Sequence, residues 1–332
     1  MKQHILVTGG AGYIGSHAVR ALLAQGYDVT VVDFLKGGHK EFIPPEAHFF
    51  ETDLGDSQML RDIFQQNKDR DMPIQAVIHF AGRIEAGLSG KEREDFLYNN
   101  VVCGERLLRV CEEFGMNTFI FSSTAAVYGE PEEVPIKETA DLRPVNYYGT
   151  TKLEFERRLV VEAEKEDRNF KYVALRYFNA AGADPQGGIG EWHPRETHLI
   201  PRVLQVAKGE LPRVEIYGVD YPTKDGTCVR DYIHVNDLVD AHLLALEYLF
   251  DGGKSDVFNL GNGEGFTVRE IITAAEEVVG GKLPVVEETR REGDPVTLVA
   301  DSSKAREVLG WQPKHAGLHE ILETAWNWER QK

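Results

Sequence analysis

The chain has 332 residues, 42% of them hydrophobic, and a formal net charge of −17 from 37 basic and 54 acidic side chains. That length suits one large globular domain or two fused ones, and the negative balance argues against nucleic acid or an acidic membrane surface as the main partner. No apolar run approaches the roughly 18 residues of a membrane span, and no charged-then-apolar leader precedes the first core segment. Cys103, Cys111 and Cys228 form neither a metal spacing nor a disulfide framework, so a soluble, reducing, cytoplasmic setting is expected.

In chain order, a buried strand at 4–8 runs into Gly9-Gly10-Ala11-Gly12-Tyr13-Ile14-Gly15. A helical pattern at 12–25 follows, carried by Val19, Leu22 and Leu23. Glycines at 9, 12 and 15 fit a tight turn, a close backbone approach to pyrophosphate, and close helix–strand packing. The helix N-terminus adds free N–H groups and a positive dipole end. A second strand at 28–33 ends on Asp33, 33 − 15 = 18 residues after the last glycine. A carboxylate there hydrogen-bonds a ribose 2′-hydroxyl and repels a 2′-phosphate. Phe34 follows it, with no arginine alongside. The order strand, glycines, helix, strand, acid predicts a bound dinucleotide, NAD rather than NADP.

A third strand at 47–51 leads to Thr52-Asp53-Leu54, where Asp53 either meets an adenine amino group or makes ordinary strand-end bonds. After a helix at 57–67, a strand at 75–81 ends in Phe80-Ala81-Gly82, small enough for a cofactor to pass. A helix at 92–114, a strand at 118–122, a helix at 147–166 and a strand at 171–177 complete an alternation. This predicts an α/β fold, a doubly wound parallel sheet with helices on both faces. Beyond Asn179 the pattern loosens, with glycine and proline clustered between 182 and 222 and helices at 198–208, 236–250, 267–280 and 317–329. The expected division is a Rossmann-like dinucleotide domain at 1–180 and a smaller mixed α/β substrate region at 181–332. The two long helices carry apolar residues on more than one face (Val101, Leu107, Leu108, Phe155, Leu159, Val160), either for a second subunit or for packing within the chain.

Phe121-Ser122-Ser123-Thr124 ends a strand, and the carboxyl ends of strands are where open α/β sheets place ligands. Tyr148-Gly-Thr-Thr-Lys152 puts a phenol and an ammonium group on one helix face, one turn apart. A nearby positive charge favours the phenolate, which makes an otherwise weak base usable. Thr124, Tyr148 and Lys152 beside a nicotinamide predict alcohol–ketone redox chemistry. Tyr148 is the proton acceptor, Thr124 the hydrogen-bond partner of the reacting oxygen, and Lys152 the support of the ribose and the phenolate. Tyr147 is a rival base whose spacing to Lys152 directs it elsewhere.

The glycine turn, Thr124 and Tyr148-x-x-x-Lys152 resemble the extended short-chain dehydrogenase/reductase superfamily. Further motifs narrow the likeness: His79-Phe80-Ala81-Gly82, Asn99-Asn100-Val101, Arg176-Tyr177-Phe178-Asn179, Asp220-Tyr221-Pro222-Thr223, and Val229-Arg230-Asp231-Tyr232-Ile233-His234-Val235. With Asn259-Leu260-Gly261 and Arg290-Arg291-Glu292-Gly293-Asp294, they resemble the UDP-glucose 4-epimerase family from about Ile5 to Trp328.

The resemblance implies a retained NAD. Tyr148 removes the 4-hydroxyl proton as C4 gives hydride to the cofactor, the 4-ketose turns over, and hydride returns to its other face. UDP-glucose and UDP-galactose interconvert with no net redox. It implies cofactor contacts from Tyr13, Ile14, Leu54, Asn99, Ser122 and Tyr177, besides the residues above. Asn179 would hold the nucleotide sugar, with Phe178, His198, Leu199 and Tyr217 around it. Arg230 and Arg291 would meet the diphosphate and Asp294 the uridine ribose. The alternative for Arg230 is a salt bridge to Asp231 or another acid. No metal is implied, and a homodimer is.

Two departures stand out. Relatives often carry a lysine two residues after the His-Phe-Ala-Gly turn, where this chain has Arg83-Ile84-Glu85: Arg83 substitutes or the contact is absent. Leu298 matches a position whose bulk helps decide whether N-acetylated sugars fit. Dehydratases of this fold need an acid–base pair after the threonine, and decarboxylases a glutamate. Ala125-Ala126 supplies neither. A 4-epimerase of UDP-N-acetylhexosamines or UDP-glucuronate, or a non-catalytic NAD sensor, remain the alternatives.

Overall fold

The computed structural model describes residues 2–84, 90–291 and 293–332. Glu85 and Glu292, quoted in motifs above, lie outside the described residues. The first half alternates β1 (His4–Thr8), α1 (Tyr13–Ala24), β2 (Asp28–Asp33), β3 (His48–Glu51), α2 (Ser57–Asp69) and β4 (Ala76–His79). It continues through α3 (Gly90–Leu97), α4 (Cys103–Glu113), β5 (Thr118–Ser122), α5 (Tyr147–Ala163) and β6 (Lys171–Tyr177). The single helix expected at 92–114 is two α-helices joined by a π-helical turn, Tyr98–Val102.

The second half holds β7 (Asn179–Ala181), α6 (Leu199–Lys208), β8 (Val214–Tyr217), β9 (Val229–His234), α7 (Val235–Phe250) and β10 (Asp256–Leu260). After these come β11 (Gly265–Thr267), α8 (Val268–Val279), β12 (Val285–Glu288), β13 (Thr297–Leu298), α9 (Ser303–Leu309) and α10 (Leu318–Glu329). Thr267 and Glu270 form a reciprocal capping box at the start of α8.

Seven parallel strands make the main sheet in the order β10-β6-β5-β4-β1-β2-β3. The chain leaves β1 in one direction for β2 and β3, then crosses to β4 on the other side. That reversal opens a crevice at the carboxyl ends of β1 and β4. Alternate side chains of each strand feed opposite faces. Ile5 and Val7 join Val19 and Leu22 of α1 and Leu238 and Leu246 of α7. Leu6, Phe119 and Phe121 join Ile63 of α2, Leu107 of α4, and Phe155 and Leu159 of α5.

A smaller sheet places β9 between β11 and β13 and also pairs it with β7, while β8 and β12 form a two-stranded ribbon. α6, α8 and α10 cover this part through Val203, Ile271 and Ile321. The division expected at residue 180 does not follow the sheets. α7 packs on the main sheet and β10 is its edge strand beside β6, so residues 235–260 return to the first body. Of the apolar residues left open between core and interface, Val101, Leu107, Leu108, Phe155 and Leu159 are buried within the chain. Val160 is exposed, as are Val161 and Leu97. Among the described residues no helix is long and apolar enough to cross a membrane.

Phe155 is fully buried against the rings of His79, Phe119 and Phe121, and joins α5 to the sheet. Phe155→Ala is expected to cost about 3–5 kcal/mol of stability through lost burial and a cavity. A denaturant midpoint close to that of the native chain would contradict this packing.

Candidate active site

The glycine turn follows directly from β1. Gly9 has φ +73°, and a Cβ there would lie 2.6 Å from Ala81 N, so only glycine suits the turn. A Cβ on Gly15 would lie 2.1 Å from Gly9 O, which is how α1 starts so close to the strand. The helix has no side-chain N-cap, and Ser16 N to Gly12 O (3.0 Å) is its first closed bond. Gly12, Tyr13, Ile14 and Gly15 all line a cavity of about 770 Å³. Uncapped amides opening onto a cavity fit a phosphate group. The Tyr13 hydroxyl donates to Gly182 O at 2.6 Å and ties α1 to the second half of the chain.

Asp33, at the end of β2, lines the same cavity. Its carboxylate accepts from Ala11 N at 3.0 Å and Leu35 N at 2.9 Å. Burial raises its pKa, and the backbone bonds oppose the rise. Asp53 and Leu54 reach the cavity from the end of β3, with Asp53 accepting from Gly55 N at 2.7 Å. Phe80, Ala81 and Gly82 form the opposite lip and hang from Thr8 O through the N–H groups of Phe80 and Ala81. These donors and the glycine cradle fit a dinucleotide laid across the crevice.

Thr124 and Tyr148 line the cavity past this lip. Asn146 accepts from Gly149 N at 2.8 Å and so starts α5 at the position that aims Tyr148 inward. Tyr147 turns to Phe96 and Arg93 instead. Lys152 does not line the cavity. It is buried behind Tyr148, donates to Ser122 O at 2.9 Å, and lies 5.9 Å from the centre of the Tyr148 ring. Ser122 is likewise buried, its hydroxyl donating to that of Tyr177 at 2.9 Å.

Burial works against the expected effect of Lys152 on Tyr148. Burial pushes the Tyr148 phenol well above its usual value, Tyr177 adds to this, and the hydrogen bond with Thr124 opposes it. Burial likewise lowers Lys152 to about 8, against the pull of Glu156. The ammonium group spends its contact on a backbone carbonyl, so its charge does not settle the phenol's protonation by itself.

The cavity continues into the second half of the chain, where Tyr177, Phe178, Asn179, His198, Leu199, Tyr217, Arg230, Arg291 and Asp294 line it. Asn179 donates to Asp231 O at 2.9 Å. Arg230 is paired, but with Asp294 rather than its neighbour Asp231, and also donates to Val229 O at 2.8 Å. Asp231 instead accepts from the backbone of Asn262, Gly263 and Ala300, and burial lifts it to about 6. Arg291 stacks 3.7 Å from the Tyr217 ring centre. Leu298 is not in the cavity wall. It pairs with Arg230 along β13 and packs on the cluster that holds Phe178. Arg83 lines the cavity, its guanidinium 3.5 Å from Asp95.

Two groups of residues escaped the sequence reading as functional. Asn100 accepts from Arg83 N at 2.6 Å and donates to Arg83 O and Thr151, which fixes the lip to α5. Its neighbour Asn99, an expected cofactor contact, lines the cavity and donates to Asp95 O at 2.7 Å. Beneath Thr124 lies a buried ion pair, Glu156 with Arg176 at 2.6 Å. Ser123 donates to Glu156 at 2.5 Å, Arg176 donates to the Tyr128 hydroxyl at 3.0 Å, and Tyr128 donates to Asn259 at 2.7 Å. Only the quoted motif beginning at Arg176 hinted at it.

The chain matches the family model described as NAD dependent epimerase/dehydratase over residues 5–261. It is 49% identical over 324 residues to the UDP-glucose 4-epimerase of Lacticaseibacillus casei, covering 98% of this chain and 96% of that one. A crystal structure of a UDP-glucose 4-epimerase superposes with a TM-score of 0.95 at 48% identity, covering 99% of this chain and 98% of that one. The UDP-glucose 4-epimerase of Brucella ovis in complex with NAD superposes at 0.93 with 42% identity, covering 98% of each chain.

Removing one member of the buried ion pair leaves the other charge unpaired. Glu156→Ala is expected to cost about 3–5 kcal/mol, whereas the double change Glu156→Leu with Arg176→Met recovers much of it. Equal denaturation midpoints for Glu156→Ala and the native chain would refute this role for the pair.

Proposed function

The chain belongs to the NAD dependent epimerase/dehydratase family, and from that membership we propose how its cavity performs the 4-epimerisation of UDP-glucose and UDP-galactose. It is a UDP-glucose 4-epimerase that uses NAD. The observation that carries the residue assignment is the single continuous cavity. It runs from the glycine turn and Asp33, past Thr124 and Tyr148, to Arg230 and Asp294.

A bound oxidised nicotinamide would supply reversible hydride acceptance at C4 of the sugar. The protein does the rest. The first-turn amides of α1 hold the pyrophosphate and Asp33 the adenosine ribose. Tyr148 accepts the 4-hydroxyl proton and returns it, and Thr124 fixes the reacting oxygen. Burial favours the neutral phenol that forms when Tyr148 takes this proton, which holds the proton at its hydroxyl until it returns to the 4-oxygen. Lys152, anchored on Ser122 O, supports the ribose side and Tyr148 from behind.

Arg230 and Arg291 take the diphosphate and Asp294 the uridine ribose. The bidentate geometry of a guanidinium suits phosphate oxygens. Asn179, Phe178, His198, Leu199 and Tyr217 surround the sugar nucleotide. Leu298 acts on sugar size from behind, through the cluster that holds Phe178. We further assign a homodimer, supported by the exposed Leu97, Val160 and Val161 on adjoining helices, and a cytoplasmic setting, supported by the three free cysteines.

Purified protein given UDP-galactose without added cofactor is expected to yield UDP-glucose, followed by NMR or chromatography. Tyr148→Phe keeps the fold and the bound NAD and loses about 10²–10⁴ of the turnover. Near-normal turnover in that variant would move the base elsewhere. Asp33→Asn, which removes charge and keeps size, shifts the NAD/NADP affinity ratio toward NADP by about tenfold. An unchanged ratio in a binding titration would take cofactor choice away from Asp33.

A further inference from the structure

The segment between β7 and α6 gathers Glu191, His193, Glu196 and His198, whose ligand atoms all lie within 4.8 Å of one another. Both carboxylates are turned inward, with 6% and 4% of their side chains exposed. His193 Nδ1 lies 3.4 Å from Glu191 and 3.2 Å from Glu196. His198 Nδ1 lies 3.7 Å from Glu196 and hydrogen-bonds Glu191.

A tetrahedral zinc ion with bonds of about 2.0–2.1 Å sets its ligands roughly 3.3 Å apart. The two separations made by His193, to Glu191 Oε1 and Glu196 Oε2, already approximate such an edge. We propose that these four side chains form a binding site for a divalent cation of the zinc class in the cavity wall.

Charge supports the assignment. Two buried carboxylates lie together, and the ion pairs of both run to these imidazoles. A dication would neutralise both at once, whereas neutral imidazoles would leave them uncompensated. Mixed imidazole and carboxylate ligands suit zinc and its neighbours rather than calcium or magnesium. The ligands are also held in place from behind. Glu196 accepts from the N–H groups of Thr197 and His198 at 2.8 Å, and Glu191 O accepts from Trp328 Nε1 at 2.9 Å.

Glu191, His193 and His198 line the cavity, so an ion there would stiffen the wall that leads into α6. The assignment stands on these four side chains and not on the identity of the sugar nucleotide.

The test uses the full chain with its bound cofactor, stripped of metal by chelator and dialysis. Zinc ion is titrated in competition with a chromophoric chelator. One equivalent per chain is expected, and the double variant His193→Ala, Glu196→Gln should bind at least about tenfold more weakly. Failure of the native chain to retain stoichiometric zinc would overturn the site, as would equal affinity in a folded variant. Cobalt(II) gives a second reading on the native chain alone. An intense tetrahedral visible spectrum supports the site, and a weak spectrum like that of the hydrated ion refutes it.

Discussion

The buried pair of Glu156 and Arg176 is the constraint around which the reacting end of the cavity is arranged. Charges this deep are costly unless each finds a partner and its remaining bonds. Here Ser123 and Tyr128 supply those bonds, and Asn259 extends them to β10. The pair thereby fastens α5 to β5, β6 and β10 at once. Thr124 follows Ser123 directly, Tyr177 follows Arg176, and Lys152 lies one turn before Glu156 on α5. Any drift in the ion pair would shift all three. The positions of the phenol and hydroxyl are therefore set by electrostatics beneath them as much as by the loops that carry them.

The two halves of the chain are woven together. Tyr13 reaches from α1 to Gly182, and α7 with β10 returns to the main sheet after the chain has already built part of the smaller one. This arrangement keeps the dinucleotide cradle and the Arg230–Asp294 end of one cavity in fixed relation. Precise placement of both ends is what a reaction needs when one carbon must be presented to the same cofactor twice.

Much of this was readable beforehand, for identifiable reasons. Of the main-sheet strands up to β6, all but the edge strand β3 are largely buried on both faces and read as apolar runs. α1, α2 and α5 carry clear helical periodicity, so their ends were found within a few residues. β7 and β13 are three and two residues long, and three of the four residues of β12 are exposed, which leaves little pattern to detect. The places of Thr124, Tyr148 and Asp33 on the cavity wall were legible because spacing and strand ends determine them. Asn100 and the Glu156–Arg176 pair were not, since their roles arise from contacts between separate elements. Leu298 and Lys152 show the reverse limit: a motif match gave their neighbourhood but not which side of the wall they occupy. Burial of the phenol, which opposes the nearby cation, is a property that spacing along a helix does not carry.

The π-helical turn at Tyr98–Val102 carries a consequence for how this chain tolerates change in length. Such a turn holds one more residue than an α-helical turn in the same place. Excising a single residue there would let α3 and α4 run on as one regular helix. The faces before and after the cut would stay in register, because the wide turn is what absorbs the extra residue. Asn99 would leave the cavity or Asn100 would lose the Arg83 lip, because consecutive asparagines serve both only while the wide turn divides them. A one-residue deletion in this otherwise unremarkable helical stretch would therefore act as a functional lesion, while the hydrophobic face of α4 stayed intact.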